Sequence, residues 1–111
     1  MFGLSEIGEV IAERRLYLEG ADAKKIRVLL GKPRKNASAS IDEASICPFQ
    51  ILGIGDEEIR AAGGVDAFQA LQLAMEMIGS ELYLKLNRRY GNKIRWEDSD
   101  DLGFPLPAGM E

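Results

Sequence analysis

The stretch GGVDAFQALQLAMEMIGSELYLKLNRRYGN, Gly63 to Asn92, constrains the fold more than any other part of the chain. It reads as one long helix. Asp66 suits the N-cap, because its carboxylate can accept the free backbone N–H groups of the first turn. Glu81 and Lys85 stand four apart in the favourable order. Arg88 and Arg89 complement the negative end of the helix dipole, and Gly91 suits the left-handed position that stops a helix. At about 100° per residue, Phe68, Leu71, Ala74, Met75, Ile78, Leu82 and Leu86 form one broad apolar stripe, the expected sheet-facing side. Gly79 sits at its margin, where glycine costs about 1 kcal/mol relative to alanine and where close approach of a strand would justify it. Ala70, Leu73, Met77 and Leu84 form a second stripe on nearly the opposite side, and Gln69, Gln72, Glu76 and Ser80 separate the two along one flank.

A helix that is apolar on two sides needs cover on both. Two covers for the second stripe are open from sequence. One is the tail, where Leu102, Phe104 and Leu106 have no other evident use. The other is a second chain, because large exposed apolar patches are uncommon on monomers.

Upstream of the helix, Glu9 to Glu19 alternates. Val10, Ala12, Leu16 and Leu18 fall on one face, with Glu13, Arg15, Tyr17 and Glu19 on the other, which predicts a half-buried strand. Gly20 to Ala23 suits a turn, and Ile26, Val28 and Leu30 then alternate with Lys25, Arg27 and Leu29 to complete a hairpin. Gly31-Lys32-Pro33 ends that second strand, since proline cannot donate to the ladder. The small polar stretch 36–45, NASASIDEAS, predicts an exposed loop. Ile46 to Ile54 is a third apolar run, Gly55-Asp56-Glu57 turns the chain, and Glu58 to Ala62 predicts a short fourth strand. Beyond the helix, Lys93 to Glu97 places Ile94 and Trp96 on one face of a short final strand. Residues 98–111 form an acidic, then proline-containing, irregular tail. This order predicts a single α+β domain over 1–111, an antiparallel β-meander of about four strands packed on one long C-terminal helix.

Much chemistry is disfavoured by composition. With no histidine among 111 residues, the commonest general base and zinc ligand is missing, and neither a Ser–His nor a Cys–His pair can form within one chain. Cys47 is the only cysteine; it precedes Pro48 in an apolar run and is expected to be a small buried hydrophobe in a reducing compartment. The N-terminus lacks a basic, apolar leader, and no stretch is long and apolar enough to span a bilayer, so a cytoplasmic protein is expected. The acidic run around Asp98, Asp100 and Asp101 invites a divalent ion. In an EF-hand register, however, Leu102 takes the fifth position and Gly109 the twelfth, where a bidentate glutamate is required, so the run reads as a solvated segment. Gly53-Ile54-Gly55 lacks the third glycine of a dinucleotide fingerprint, where Glu58 stands, and Gly31-Lys32 lacks the earlier glycine and following Ser or Thr of a P-loop. No catalytic, metal or cofactor site is expected, and no cofactor.

Basic residues fall into two clusters despite a formal net charge of −4. Lys32, Arg34 and Lys35 belong to the first, and Arg88 and Arg89 to the second. If the fold joined them, they would make a positive patch for nucleic acid or an acidic protein.

The segments IAERRLYL, CPFQILGIG, AAGGVDAFQALQLAMEMIGSEL and a closing GFP resemble a family of small uncharacterised bacterial proteins with IAER, CPF/Y, G-x-D-x-x-QAL-x-LA and GFP motifs. The matching positions are Ile11 to Arg14, Cys47 to Phe49, Gly64, Asp66, Gln69 to Leu71, Leu73, Ala74, and Gly103 to Pro105. The resemblance implies a bacterial single-domain protein and transfers no activity. The leading expectation is therefore a non-enzymatic protein-interaction module, adaptor or immunity-type, that engages another protein or a second copy through Ala70, Leu73, Met77 and Leu84. The alternative is nucleic-acid binding through the basic residues.

Overall fold

The computed structural model describes residues 5–20, 24–36, 44–107 and 109. The residues expected in the first hairpin turn, 21–23, and most of the polar loop, 37–43, lie outside the described residues, as do 108, 110 and 111 at the end of the tail. Among the described residues six strands form one antiparallel sheet: β1 (Val10–Leu18), β2 (Lys25–Gly31), β3 (Arg34–Lys35), β4 (Ser45–Leu52), β5 (Arg60–Gly64) and β6 (Ile94–Arg95). β1, β2, β4 and β5 make the expected meander. Ser45 lies between Lys35 and Gly64, and Phe49 between Leu30 and Arg60, so β3 continues β2 along one edge of β4 while β5 holds the other edge. β6 pairs with the far side of β1 at Tyr17 and Leu18. The fold is α+β, as the order of elements predicts.

Two strand assignments differ from expectation. The two-residue β3 has no alternation to announce it. β5 begins at Arg60 rather than Glu58, because the acidic residues before it belong to the turn: Asp56 accepts the Glu58 N–H at 2.9 Å, and the Glu57 carbonyl accepts from Gln50 at 2.8 Å.

Asp66 is the N-cap, accepting the Gln69 N–H at 2.8 Å. From it α1 (Ala67–Ser80) runs without interruption into a π-helical stretch (Glu81–Leu86) and a last turn, α2 (Asn87–Arg89). The buried line of α1 is Ala70, Ala74 and Ile78, all at 0% exposure. This corrects the expected faces. Phe68, placed on the sheet-facing stripe by periodicity, is 84% exposed, and Ala70, placed on the second stripe, is wholly buried. The reason is close approach. A Cβ on Gly64 would lie 2.6 Å from the Ala70 backbone nitrogen, so β5 and the first turns of α1 touch nearly backbone to backbone. Only alanine fits there, and the bulkier Leu71 and Met75 are set to one flank, half-buried.

The π stretch solves a second packing problem. Residues four apart drift by about 40° per step on an α-helix, so Ile78, Leu82 and Leu86 would turn progressively off the sheet. A wider turn, marked by the Asn87 N–H reaching the Leu82 carbonyl, reduces that drift and keeps Leu82, Tyr83 and Leu86 all buried.

The tail covers the sheet beside the helix. Leu102 and Phe104 are buried, and the chain crosses α1 at Gly79, where an added Cβ would run into the Pro105 carbonyl oxygen. Its path is fixed by the Leu102 N–H donating to the Tyr83 hydroxyl at 2.7 Å and by Arg14. The Arg14 guanidinium donates to the Leu102 carbonyl at 3.2 Å and stacks 3.9 Å from the Trp96 ring and 4.8 Å from the Phe104 ring. The close neighbour that justifies Gly79 is thus the tail, not a strand. Among the described residues no helix is long and apolar enough to cross a membrane.

Gly79→Ala tests this packing. Helix propensity alone would favour the alanine by about 1 kcal/mol; the clash with the Pro105 carbonyl predicts instead a net loss of roughly 1–3 kcal/mol, read by denaturant unfolding. A stabilised variant would refute the crossing.

Candidate interaction surface

β5 follows directly into α1 through Val65 and Asp66, so the helix doubles back along the edge strand. Between them runs a groove of about 470 Å³ lined by Ala61, Ala62, Gly63, Leu73, Glu76, Met77 and Ser80. Leu73 is 38% exposed, Met77 is half-buried on the rim of the core, and Leu84, 37% exposed, lies further along the rod. Three of the four residues of the expected second stripe therefore do stand outside the core, and Ala70 does not. The tail, packed against the Gly79 side, does not cover them.

Hydrogen-bond parity decides which backbone groups of β5 point toward β4 and which point away from it. The Asn36 N–H donates to the Ala44 carbonyl at 3.1 Å, so the even-numbered residues of β4 point their backbone groups toward β2 and β3. Ser45, Cys47 and Phe49 then point toward β5, where their partners are Gly64, Ala62 and Arg60. Ala61 and Gly63 are left pointing away from β4, Ala61 buried at 1% exposure and Gly63 exposed. Among the described residues no backbone group outside the β4 ladder bonds to them.

The same parity explains a proline in an interior strand. Pro48 faces the break between β2 and β3, where Lys32 and Pro33 make no ladder contact, so its missing N–H is tolerated. Gly31 lies opposite it, and the Gly31 carbonyl accepts the Cys47 thiol at 3.4 Å instead. Cys47 has 0% exposure, and burial pushes its thiol up to about 11 from an ordinary 9.0. It is the small buried hydrophobe expected from the sequence, a poor thiolate at neutral pH.

The basic clusters do not meet. β3 pairs with β4 at Ser45, which also pairs with Gly64 at the start of the helix, whereas Arg88 and Arg89 occupy its far end. The rod between them is on the order of 30 Å long. Lys32 and Lys35 are exposed, but Arg34 is half-buried and spends its guanidinium on the Ile7 and Glu6 carbonyls, each at 3.2 Å. In the acidic run, Asp101 accepts the Gly103 N–H at 2.9 Å and the Tyr83 hydroxyl at 3.4 Å. Among the described residues no group of three or more acidic or cysteine side chains converges as a metal site.

A larger cleft of about 660 Å³ lies against the paired β1 and β2, lined by Arg15, Tyr17, Lys25 and Arg27 together with Glu97 and Asp98. Its arginines are already answered. Glu13 accepts from Arg27 at 3.0 Å and from Arg15 at 3.1 Å. These bonds, Arg27 foremost, hold the Glu13 carboxyl at about 2 rather than 4.5. The cleft therefore offers mixed charge, with both of its arginines already paired to Glu13.

An antiparallel meander backed by a single helix, with a groove between the last strand of the meander and a partly apolar helix flank, defines a small α+β scaffold. A family model described as a domain of unknown function, DUF6968, matches residues 12–106, and the chain belongs to that family. No curated protein and no solved structure matches it.

Two measurements check the chemistry of these groups. Alkylation of Cys47 is expected only as fast as the protein opens, and Cys47→Ala to cost about 1–2 kcal/mol through lost packing and the bond to Gly31; rapid labelling of the folded protein would contradict it. Asp56 is held at about 2, below its ordinary 3.8, chiefly by Arg60 and then by the Glu58 N–H. A carboxylate with a depressed folded pKa stabilises fully above its unfolded value and loses that contribution as pH falls toward the folded one. The melting temperature should thus fall between about pH 4.5 and 2, and Glu13→Gln with Asp56→Asn should flatten that fall in melts across pH.

Proposed function

We propose that the protein is a non-enzymatic interaction module, an adaptor or immunity-type protein of the bacterial cytoplasm, that engages another protein through Leu73, Met77 and Leu84. One observation carries this reading. Leu73 and Leu84 of the second stripe stay exposed and Met77 half-buried although the chain has an apolar tail within reach, and the described part of that tail packs on the Gly79 side. A helix flank left apolar beside a groove is the kind of surface proteins keep for partners. The buried thiol, the absence of histidine and the structural use of Asp101 support the non-enzymatic half of the reading. Nucleic-acid binding loses its main support once the two basic clusters stand at opposite ends of the rod.

Met77→Glu combined with Leu84→Lys tests it. Leu84 is exposed and Met77 sits half-buried on the rim of the core, so the variant should fold with its melting temperature lowered by only a few degrees. Tagged wild-type protein and the variant, purified side by side from the native host and compared by quantitative mass spectrometry, should differ in a specific co-purifying protein. In light scattering, a dimer that dissociates in the variant would identify the partner as a second copy. Identical profiles and identical mass for the two would overturn the proposal, and a melting temperature lowered by many degrees would return these residues to the core.

A further inference from the structure

We infer that the pocket between β1, β2 and α1, with Arg14 at its edge, binds a carboxylate that carries a short aliphatic group. The inference stands apart from the interaction reading, because this pocket lies on the flank of α1 opposite the β5 groove. Its volume is about 90 Å³, and Ala12, Val28, Leu30, Met75, Ile78 and Phe104 line it beside Arg14. Val28, Leu30, Ile78 and Phe104 are buried, Met75 is half-buried and Ala12 is exposed, so the floor is apolar and the mouth opens beside Ala12. Glu13 also borders the pocket. Its side chain belongs to the other face of the sheet, as strand alternation requires, and is engaged there by Arg15 and Arg27.

Two observations on one site select the ligand. Arg14 is a half-buried cation that has no ion pair among the described residues. Trp96 and Phe104 pack on it and the Leu102 carbonyl takes one N–H, while its remaining donors have no partner among the described residues. A guanidinium carries five N–H donors in a planar fork that matches a carboxylate. The Phe104 ring that packs on Arg14 also lines the pocket, so an anion on the guanidinium would stand next to an apolar space. That space sets the size of the apolar part. A cavity of about 150 Å³ takes a benzene, so one of about 90 Å³ takes roughly three or four carbons. A bare inorganic anion would leave the pocket empty, and an alkane would leave the guanidinium unanswered. The ligand that meets both demands is an acid of about four or five carbons, free or as the terminal valine or leucine of a peptide. The IAER and GFP segments supply Ala12, Arg14 and Phe104, which gives them a use beyond holding the tail.

Titration of the isotope-labelled protein with acetate, butyrate, isovalerate, octanoate and butyramide, followed by amide NMR shifts, tests this. Butyrate and isovalerate should shift Ala12, Arg14 and Met75 saturably at millimolar concentration, the range open to ligands of so few atoms. Affinity should rise about fourfold per methylene from acetate to butyrate and gain nothing further at octanoate. Butyramide, of the same shape without the charge, should bind about tenfold more weakly. Ala12→Leu, which puts a larger side chain at the exposed mouth, should abolish binding and leave the melting temperature unchanged. Arg14→Gln should erase the preference for butyrate over butyramide; should that variant fail to fold, the same pair of ligands on the wild type decides the point. A short peptide ending in leucine separates the two sources. If it binds more tightly than isovalerate and loses that on C-terminal amidation, the ligand is a protein C-terminus; if it binds more weakly, the ligand is a free acid. Four results would each overturn the inference: no saturable shift with any acid or peptide, equal affinity for butyrate and butyramide, affinity still climbing at octanoate, or undiminished binding to Ala12→Leu.

Discussion

The close contact between β5 and the first turns of α1 governs the rest of the molecule. Gly64 admits the Ala70 nitrogen to within 2.6 Å of where a Cβ would stand, and Ala70 and Ala74 are the only side chains such a gap accepts. With that line of the helix fixed on the sheet, every other face is assigned. Leu71 and Met75 take the inner flank, Gly79 turns toward the tail, and Leu73 and Met77 are left along the outer flank above β5. The apolar groove is thus a by-product of how small residues set the rotation of the helix.

A second contact joins the ends of the fold. Arg14 from β1 lies between Trp96 and Phe104 and reaches the Leu102 carbonyl, and Gly103 leaves the space: with φ of 75°, its added Cβ would press on the Arg14 guanidinium at 2.6 Å and on the Trp96 ring. A half-buried cation without a carboxylate partner is tolerated because two ring faces and a carbonyl replace its water. The IAER and GFP segments, far apart in sequence, meet at this one clamp. Pro48 and Cys47 of the CPF segment likewise serve the strand break opposite Gly31, and Gly64 and Asp66 the helix start. The segments that drew attention in the sequence thus have architectural uses.

What the sequence determined by itself was local. Alternation placed β1 and β2, a continuous apolar run placed β4, the capping chemistry of Asp66 placed the helix start to the residue, and the apolar setting of Cys47 foretold its burial. Each depends only on neighbours a few positions away. The rotation of the helix could not be read in this way. Hydrophobicity counts Phe68 above Ala70, but the distance of closest approach to β5 ranks them in reverse, and that distance exists only in the folded sheet. The same holds for β3, held by pairing rather than pattern, for the π turn, set by the need to keep Leu82 and Leu86 on the sheet, and for the separation of Arg34 from Arg88. Tertiary structure alone decided which apolar residues were left over, because burial is a property of what packs against a side chain and not of the side chain itself.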